Sequence, residues 1–154
     1  MNDAILQEGL RIARVSSEKD EVPVGAVIFS SKTHEIIASA GNMTCYKQDP
    51  TAHAEIEVIR QACASLNLSK LNGYSIFVTL EPCAMCAMAI SLARLDALYF
   101  GAEDVKSGGT FHGAKVFSHP QTHHKPLVQG GFNSLECGAL LSNFFRLKRR
   151  KNVS

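Results

Sequence analysis

The chain has 154 residues, of which 45% are hydrophobic and 19% charged, with a formal net charge of +2. That size suits one domain, residues 1–154, with a core that needs no disulfides, and the composition excludes a disordered or collagen-like chain. The start Met1-Asn2-Asp3-Ala4 lacks the basic opening of a signal peptide and no apolar run is long enough to span a bilayer, so a cytoplasmic protein without membrane attachment is expected.

Ile5, Leu6, Leu10, Ile12 and Ala13 recur at helical spacing behind Asn2 or Asp3 as a cap, which predicts a helix to about residue 17. The period then changes. Residues 22–29 form a β-branched apolar run, 30–34 a turn and 35–40 a second short apolar run, together a hairpin. A polar loop over 41–50 delivers the chain to Thr51, the expected cap of a helix over about 52–66 that carries His53 and Glu55 in its first turn. Residues 74–79 read as a third strand. Leu80-Glu81-Pro82 then leads into a helix holding Cys83, Cys86, Ala87, Ile90 and Leu92, with Pro82 in the first turn, where an amide hydrogen would go unused. Residues 97–100 are a fourth strand and 101–113 a glycine-rich loop. A final basic helix over about 134–150 carries Leu135, Ala139, Leu140, Phe144 and Leu147 as its apolar stripe. Strands interleaved with helices predict an α/β sheet covered on both faces.

The chemistry concentrates in two short stretches, His53-Ala54-Glu55 and Pro82-Cys83-Ala84-Met85-Cys86. A Cys-x-x-Cys pair alone is compatible with a redox motif or half of a structural zinc site. A structural zinc needs a fourth ligand, and Cys45, Cys63, Cys137 and the remaining histidines form no second metal-type pairing. One histidine and two cysteines leave a coordination position for water, as a catalytic zinc requires, and Glu55 remains free to move protons. Two helix N-termini would converge on this site, where unpaired amides and the macrodipole favour thiolate over thiol. A zinc on His53, Cys83 and Cys86 would bring the pKa of its water toward ~7, and Glu55 could pass the proton to a leaving nitrogen. Hydrolytic deamination of an amidine-like ring carbon fits this inventory.

The other cysteines and the charge pattern say less. Cys63 and Cys137 fall in apolar helical patterns and are expected as buried thiols; Cys45 lies in a polar segment and takes no role. The stretch from Phe144 to Lys151 places five positive charges and two aromatics in eight residues. It is compatible with a solvated helix end or a nucleic-acid contact.

The order His-x-Glu then Pro-Cys-x-x-Cys is the signature of zinc nucleobase deaminases. Further along the chain, Glu21-Val22-Pro23-Val24-Gly25-Ala26-Val27, Asp49-Pro50-Thr51-Ala52-His53-Ala54-Glu55, Val78-Thr79-Leu80-Glu81-Pro82-Cys83-Ala84-Met85-Cys86 and residues 136–146 resemble the cytidine deaminase-like superfamily, within it the bacterial tRNA adenosine deaminases. The resemblance implies a three-layer α/β/α fold around a five-stranded mixed sheet, one zinc per subunit and a homodimer with each active site near the interface. It also implies conversion of the wobble adenosine in the tRNA anticodon loop to inosine. By the same resemblance His53, Cys83 and Cys86 are zinc ligands, Glu55 the proton shuttle and Asn42 a contact to the target base. Asp104 and Lys106 would border the RNA, with Phe144, Phe145 and Arg146 on the C-terminal helix beside the anticodon loop. Glu103 is a departure, placing an extra carboxylate beside Asp104, and His112, His119, His123 and His124 are unassigned.

Two rival readings stand beside this one. A guanine or cytosine deaminase of the same superfamily would use the same zinc and glutamate on a free base. Pro23-Val24-Gly25-Ala26 and Thr79-Leu80-Glu81-Pro82 differ from the Pro-Phe-Gly-Ala and Ser-Cys-Glu-Pro usual in guanine deaminases. A zinc-stabilised RNA-binding module without catalysis would bind with steep salt dependence and have no use for Glu55.

Overall fold

The computed structural model of the protein describes residues 1–153. Helix α1 (Asp3–Glu18) is followed by β1 (Gly25–Ser30), β2 (Ile36–Gly41), a single turn α2 (Thr44–Lys47), α3 (Ala54–Leu66), β3 (Tyr74–Leu80), α4 (Ala84–Leu92), β4 (Ala97–Ala102), β5 (Leu127–Gln129) and α5 (Ser134–Val153). The five strands form one mixed sheet in the order β2-β1-β3-β4-β5. β1 is antiparallel to both β2 and β3, whereas β3, β4 and β5 run parallel.

Strand alternation sends successive side chains to opposite faces, and both faces are covered. Ala26, Ile28, Ile76, Val78, Leu98 and Phe100 meet Ala54, Val58 and Ala62 of α3 and Ile90 of α4. On the other side Val27, Phe29 and Phe77 pack on Ile5 of α1. Leu10 of α1 and Cys137 of α5 close over Ala102. The three-layer α/β/α arrangement follows. Phe77 is fully buried, so its truncation to alanine should cost about 3–5 kcal/mol. Helix α1 lies directly on the sheet because neither Gly9 nor Gly25 has a side chain: a β-carbon on Gly25 would overlap the Gly9 carbonyl oxygen.

The sequence reading located four strands and four long helices, with differences that have local causes. The first strand starts three residues later than the apolar run, because Glu21 to Val24 form a lead-in whose carboxylate is used elsewhere. Thr51 does not cap α3; it bonds to Asp49 Oδ1, and His53 in extended conformation takes the cap position. Pro82 likewise precedes the helix, with Cys83 as the cap of α4. Gly101 belongs to β4, and the segment predicted as a loop over 41–50 contains α2. β5, three residues with little apolar pattern, is read only from the resemblance. Helix α5 buries a different stripe from the one expected. Cys137 is buried with Leu140 and Leu141 partly so, whereas Leu135, Ala139 and Leu147 are exposed, because α5 meets Leu80 and Ala102 at the ends of β3 and β4 through the face that holds Cys137 and Leu140.

Candidate metal centre and active site

The N-termini of α3 and α4 converge at the C-terminal end of β3. His53 and Cys83 are the two N-caps, and neither spends its side chain on capping its own helix. Both side chains point to a common centre, joined by Cys86 from the first turn of α4. Cys83 Sγ and Cys86 Sγ lie 3.6 and 3.5 Å from His53 Nδ1. The three donor atoms fall within 4.8 Å of one another, a group able to hold a metal ion.

The electrostatics of the corner are those of a cation site. The Cys83 thiol is drawn down to about 4, first by the hydrogen bond from Cys86, then by His53, against the burial that opposes ionisation. Cys86 is pushed up by sharing that hydrogen bond and by burial. The shared hydrogen bond thus drives the two sulfurs apart, Cys83 toward thiolate and Cys86 toward thiol. His53 is raised, chiefly by its hydrogen bond with Cys83 and with help from the Glu55 charge and the Pro50 backbone. Burial pushes the Glu55 carboxyl up to about 7, with Cys83 adding to the effect and His53 opposing it. A carboxyl poised there exchanges protons readily at neutral pH.

Glu55, His53 and Cys83 line a cavity of about 240 Å³ with Val22, Val24, Asn42, Asp104 and Ser107. Two of the sequence-predicted substrate residues, Asn42 and Asp104, are thus brought to the metal corner. Lys106 and Phe145 line an adjoining groove that shares Leu80 and Asp104 with this cavity. Phe144 stacks edge-on against Phe145 and receives Lys148 Nζ over its ring at 5.6 Å. Arg146 bonds to Asn143 Oδ1 at 2.7 Å on the exposed side of α5 and lines neither cavity.

Two buried carboxylates that sequence reasoning left without a role hold the walls. Glu21 Oε1 accepts from Asn42 Nδ2 at 3.2 Å and from the Cys45 amide at 3.1 Å, and its Oε2 accepts from the Tyr46 amide at 2.8 Å. Lys47 ties the same segment to Glu57 of α3 at 2.7 Å. Glu81, with no side-chain exposure, faces the loop after β4. The available signal was an acidic residue leading into an apolar run in Glu21-Val22-Pro23-Val24 and one set between apolar residues in Leu80-Glu81-Pro82, since buried carboxylates require partners. The histidines also find places. His112 bonds to Glu81, His119 to the Ala114 carbonyl and His124 to the Leu95 carbonyl. Cys63 is half-buried, less than expected, while Cys137 is buried.

Comparison with known proteins follows the same lines. The model of the MafB19-like deaminase family matches residues 1–149. A tRNA-specific adenosine deaminase of Agrobacterium fabrum is 49% identical over 137 residues, covering 89% of each chain. A solved structure from studies of A-to-I editing by tRNA:A34 deaminases superposes with a TM-score of 0.88 at 45% identity, covering 91% of this chain and 100% of the other. A guanine deaminase from Nitrosomonas europaea has a TM-score of 0.82 at 21% identity, covering 94% of this chain and 84% of its own, a likeness of fold alone.

Proposed function

This chain belongs to the MafB19-like deaminase family and, by its relatives, to the tRNA-specific adenosine deaminases; we propose that it hydrolytically deaminates adenosine to inosine at the wobble position of tRNA. The observation that carries this reading is the buried Glu55 beside a three-donor metal corner in a cavity whose walls include Asn42 and Asp104. We read residues 1–154 as one deaminase domain.

The donor set suits zinc. Zinc bonds of about 2.3 Å to sulfur and 2.0–2.1 Å to nitrogen at tetrahedral angles separate the two donors by about 3.5 Å. The separations of 3.6 and 3.5 Å between His53 Nδ1 and the two sulfurs agree with that spacing. One zinc per subunit, held by His53, Cys83 and Cys86, supplies Lewis acidity that makes water nucleophilic at neutral pH. With zinc bound, Glu55 would carry one proton of the attacking water to the purine ring nitrogen and then the water's second proton to the amine, which leaves as ammonia, a role its poised carboxyl fits. Burial of Glu55 keeps bulk water from competing for this proton.

Asn42 and Asp104 orient the flipped base from opposite walls. Lys106, Phe144, Phe145 and Arg146 meet the anticodon loop outside the cavity, where stacking and phosphate attraction act on single-stranded RNA. An adenosine in a loop leaves its stack at less cost than one in a duplex. We further propose a homodimer, supported by the exposed Met85 and Leu92 of α4, the latter beside a groove with Ile56 and Ile59 of α3. A cytoplasmic location is part of the same reading, and among the described residues no helix is long and apolar enough to cross a membrane.

The test is incubation of the zinc-loaded protein with an anticodon stem-loop bearing a wobble adenosine, and separately with free guanine and cytosine. Inosine in the RNA is expected, reduced roughly 10²- to 10⁴-fold or more in Glu55→Ala at undiminished zinc content. Ammonia from a free base with the RNA untouched would move the enzyme to the free-base branch, whose fold is the same. Salt-dependent RNA binding with no product from any of the three would leave a binding module.

A further inference from the structure

The loop after β4 closes on one carboxylate. Glu81 Oε1 accepts from the Asp104 amide at 3.0 Å and lies 2.8 Å from His112 Nδ1. Its Oε2 accepts from three consecutive amides, those of Thr110, Phe111 and His112, at 3.2, 3.0 and 3.1 Å. Successive amides turned toward one point form a concave anion-binding nest, and here the anion is a side chain of the protein itself. The segment between is shaped to reach it. A β-carbon on Gly108 would overlap Glu81 Oε2, and one on Gly109 would overlap the Ala84 amide at the start of α4. The Gly109 amide donates to the Pro82 carbonyl at 2.8 Å, next to Cys83. Asp104 and Ser107, held in the same wrap, line the cavity with His53 and Glu55.

We propose that Glu81 is a positioning residue for substrate recognition: it binds the 103–112 loop as an internal anion and thereby holds Asp104 and Ser107 at the cavity wall opposite Asn42. This rests on the functional reading above in one respect, that the wall it positions faces the RNA substrate. Glu81 borders the same cavity, but both of its carboxylate oxygens are taken up by the loop, and it is not one of the three metal donors. Its carboxylate is matched to donors only, so an amide in its place would turn an NH₂ group toward at least one backbone N–H and open the loop. The metal corner stands on α3 and α4 and should survive that change.

The experiment compares the zinc-loaded full chain with Glu81→Gln by bound zinc, by amide hydrogen exchange along the chain, and by kcat and KM on the anticodon stem-loop. Exchange over 104–112 is expected to quicken about tenfold or more while the sheet stays protected, with zinc unchanged. KM should rise about tenfold with kcat within about threefold. Asp104→Ala should add little in the Glu81→Gln background, since both act through one wall. Unchanged loop exchange, loss of zinc, or a fall in kcat at constant KM would overturn the proposal. Should Glu81→Gln fail to fold, Gly108→Ala strikes the same contact from the loop side and must give the same pattern. If the wild type leaves the stem-loop unedited, the functional reading fails by itself, and exchange with zinc content still decides whether Glu81 organises the loop.

Discussion

The metal corner and the cavity rim are built by opposite means. At the corner, His53 and Cys83 cap two helices whose interiors are pinned to the sheet by Val58, Ala62 and Ile90, so the donors inherit the rigidity of the core. At the rim, Asn42 and Asp104 stand on segments with little core of their own, held by hydrogen bonds to Glu21 and Glu81. Donors that must meet one ion tolerate little displacement, whereas a cavity wall can be adjusted through loops anchored at single points. The donor corner is therefore fixed by packing and the rim by buried carboxylates.

Changes confined to the corner should separate the two regions most sharply. Cys86→Ala removes a buried donor, and zinc content and deamination are both expected to fall below detection, while stem-loop affinity measured without turnover changes less than about threefold. An equal collapse of RNA affinity would mean that corner and rim are one unit. Metal release should next expose the unusual acidity of Cys83. In the metal-free protein its alkylation by iodoacetamide should persist down to pH about 4, with Cys86 protected. An ordinary thiol loses that reactivity below about pH 8.5. The sign for stability follows from a folded-state pKa lowered beneath the unfolded one. The ionised thiol contributes fully above the ordinary thiol value, and the contribution disappears as pH falls through about 4. Alkylation rates mapped by mass spectrometry across pH check the first statement and denaturant melts of the metal-free protein the second.

The smallest expected effect lies on the rim. Asn42→Ala deletes hydrogen bonds to Glu21 and Thr44 and should lower kcat/KM about tenfold with zinc retained. Asn42→Asp is nearly isosteric but sets a carboxylate against buried Glu21, so a larger loss, roughly thirty- to hundredfold, is expected. If Asn42→Asp were milder than Asn42→Ala, Glu21 would not be anchoring that wall.

Much of the corner was legible because its information is local. The spacings His53-x-Glu55 and Cys83-x-x-Cys86 survive any uncertainty about helix ends, and moving the caps by one or two residues left the donors at the helix starts. The alternating strand residues and the periodicity of α1 likewise depend on neighbours a few positions apart. The sheet's fifth strand was not readable in this way, since Leu127–Gln129 earns its place by pairing with Ala97, Leu98 and Tyr99 rather than by pattern. The buried face of α5 escaped for a related reason: which of its apolar residues are covered depends on where the helix crosses the ends of β3 and β4, not on its own period.

From the sequence by itself came the donor inventory, the carboxylate of Glu55 beside it and the α/β class, all consequences of short-range spacing. Tertiary structure alone decided the rim: that Glu21 reaches Tyr46 across 25 positions and Glu81 reaches His112 across 31. A buried carboxylate announces that it needs donors, but which distant amides supply them depends on how the chain closes in three dimensions.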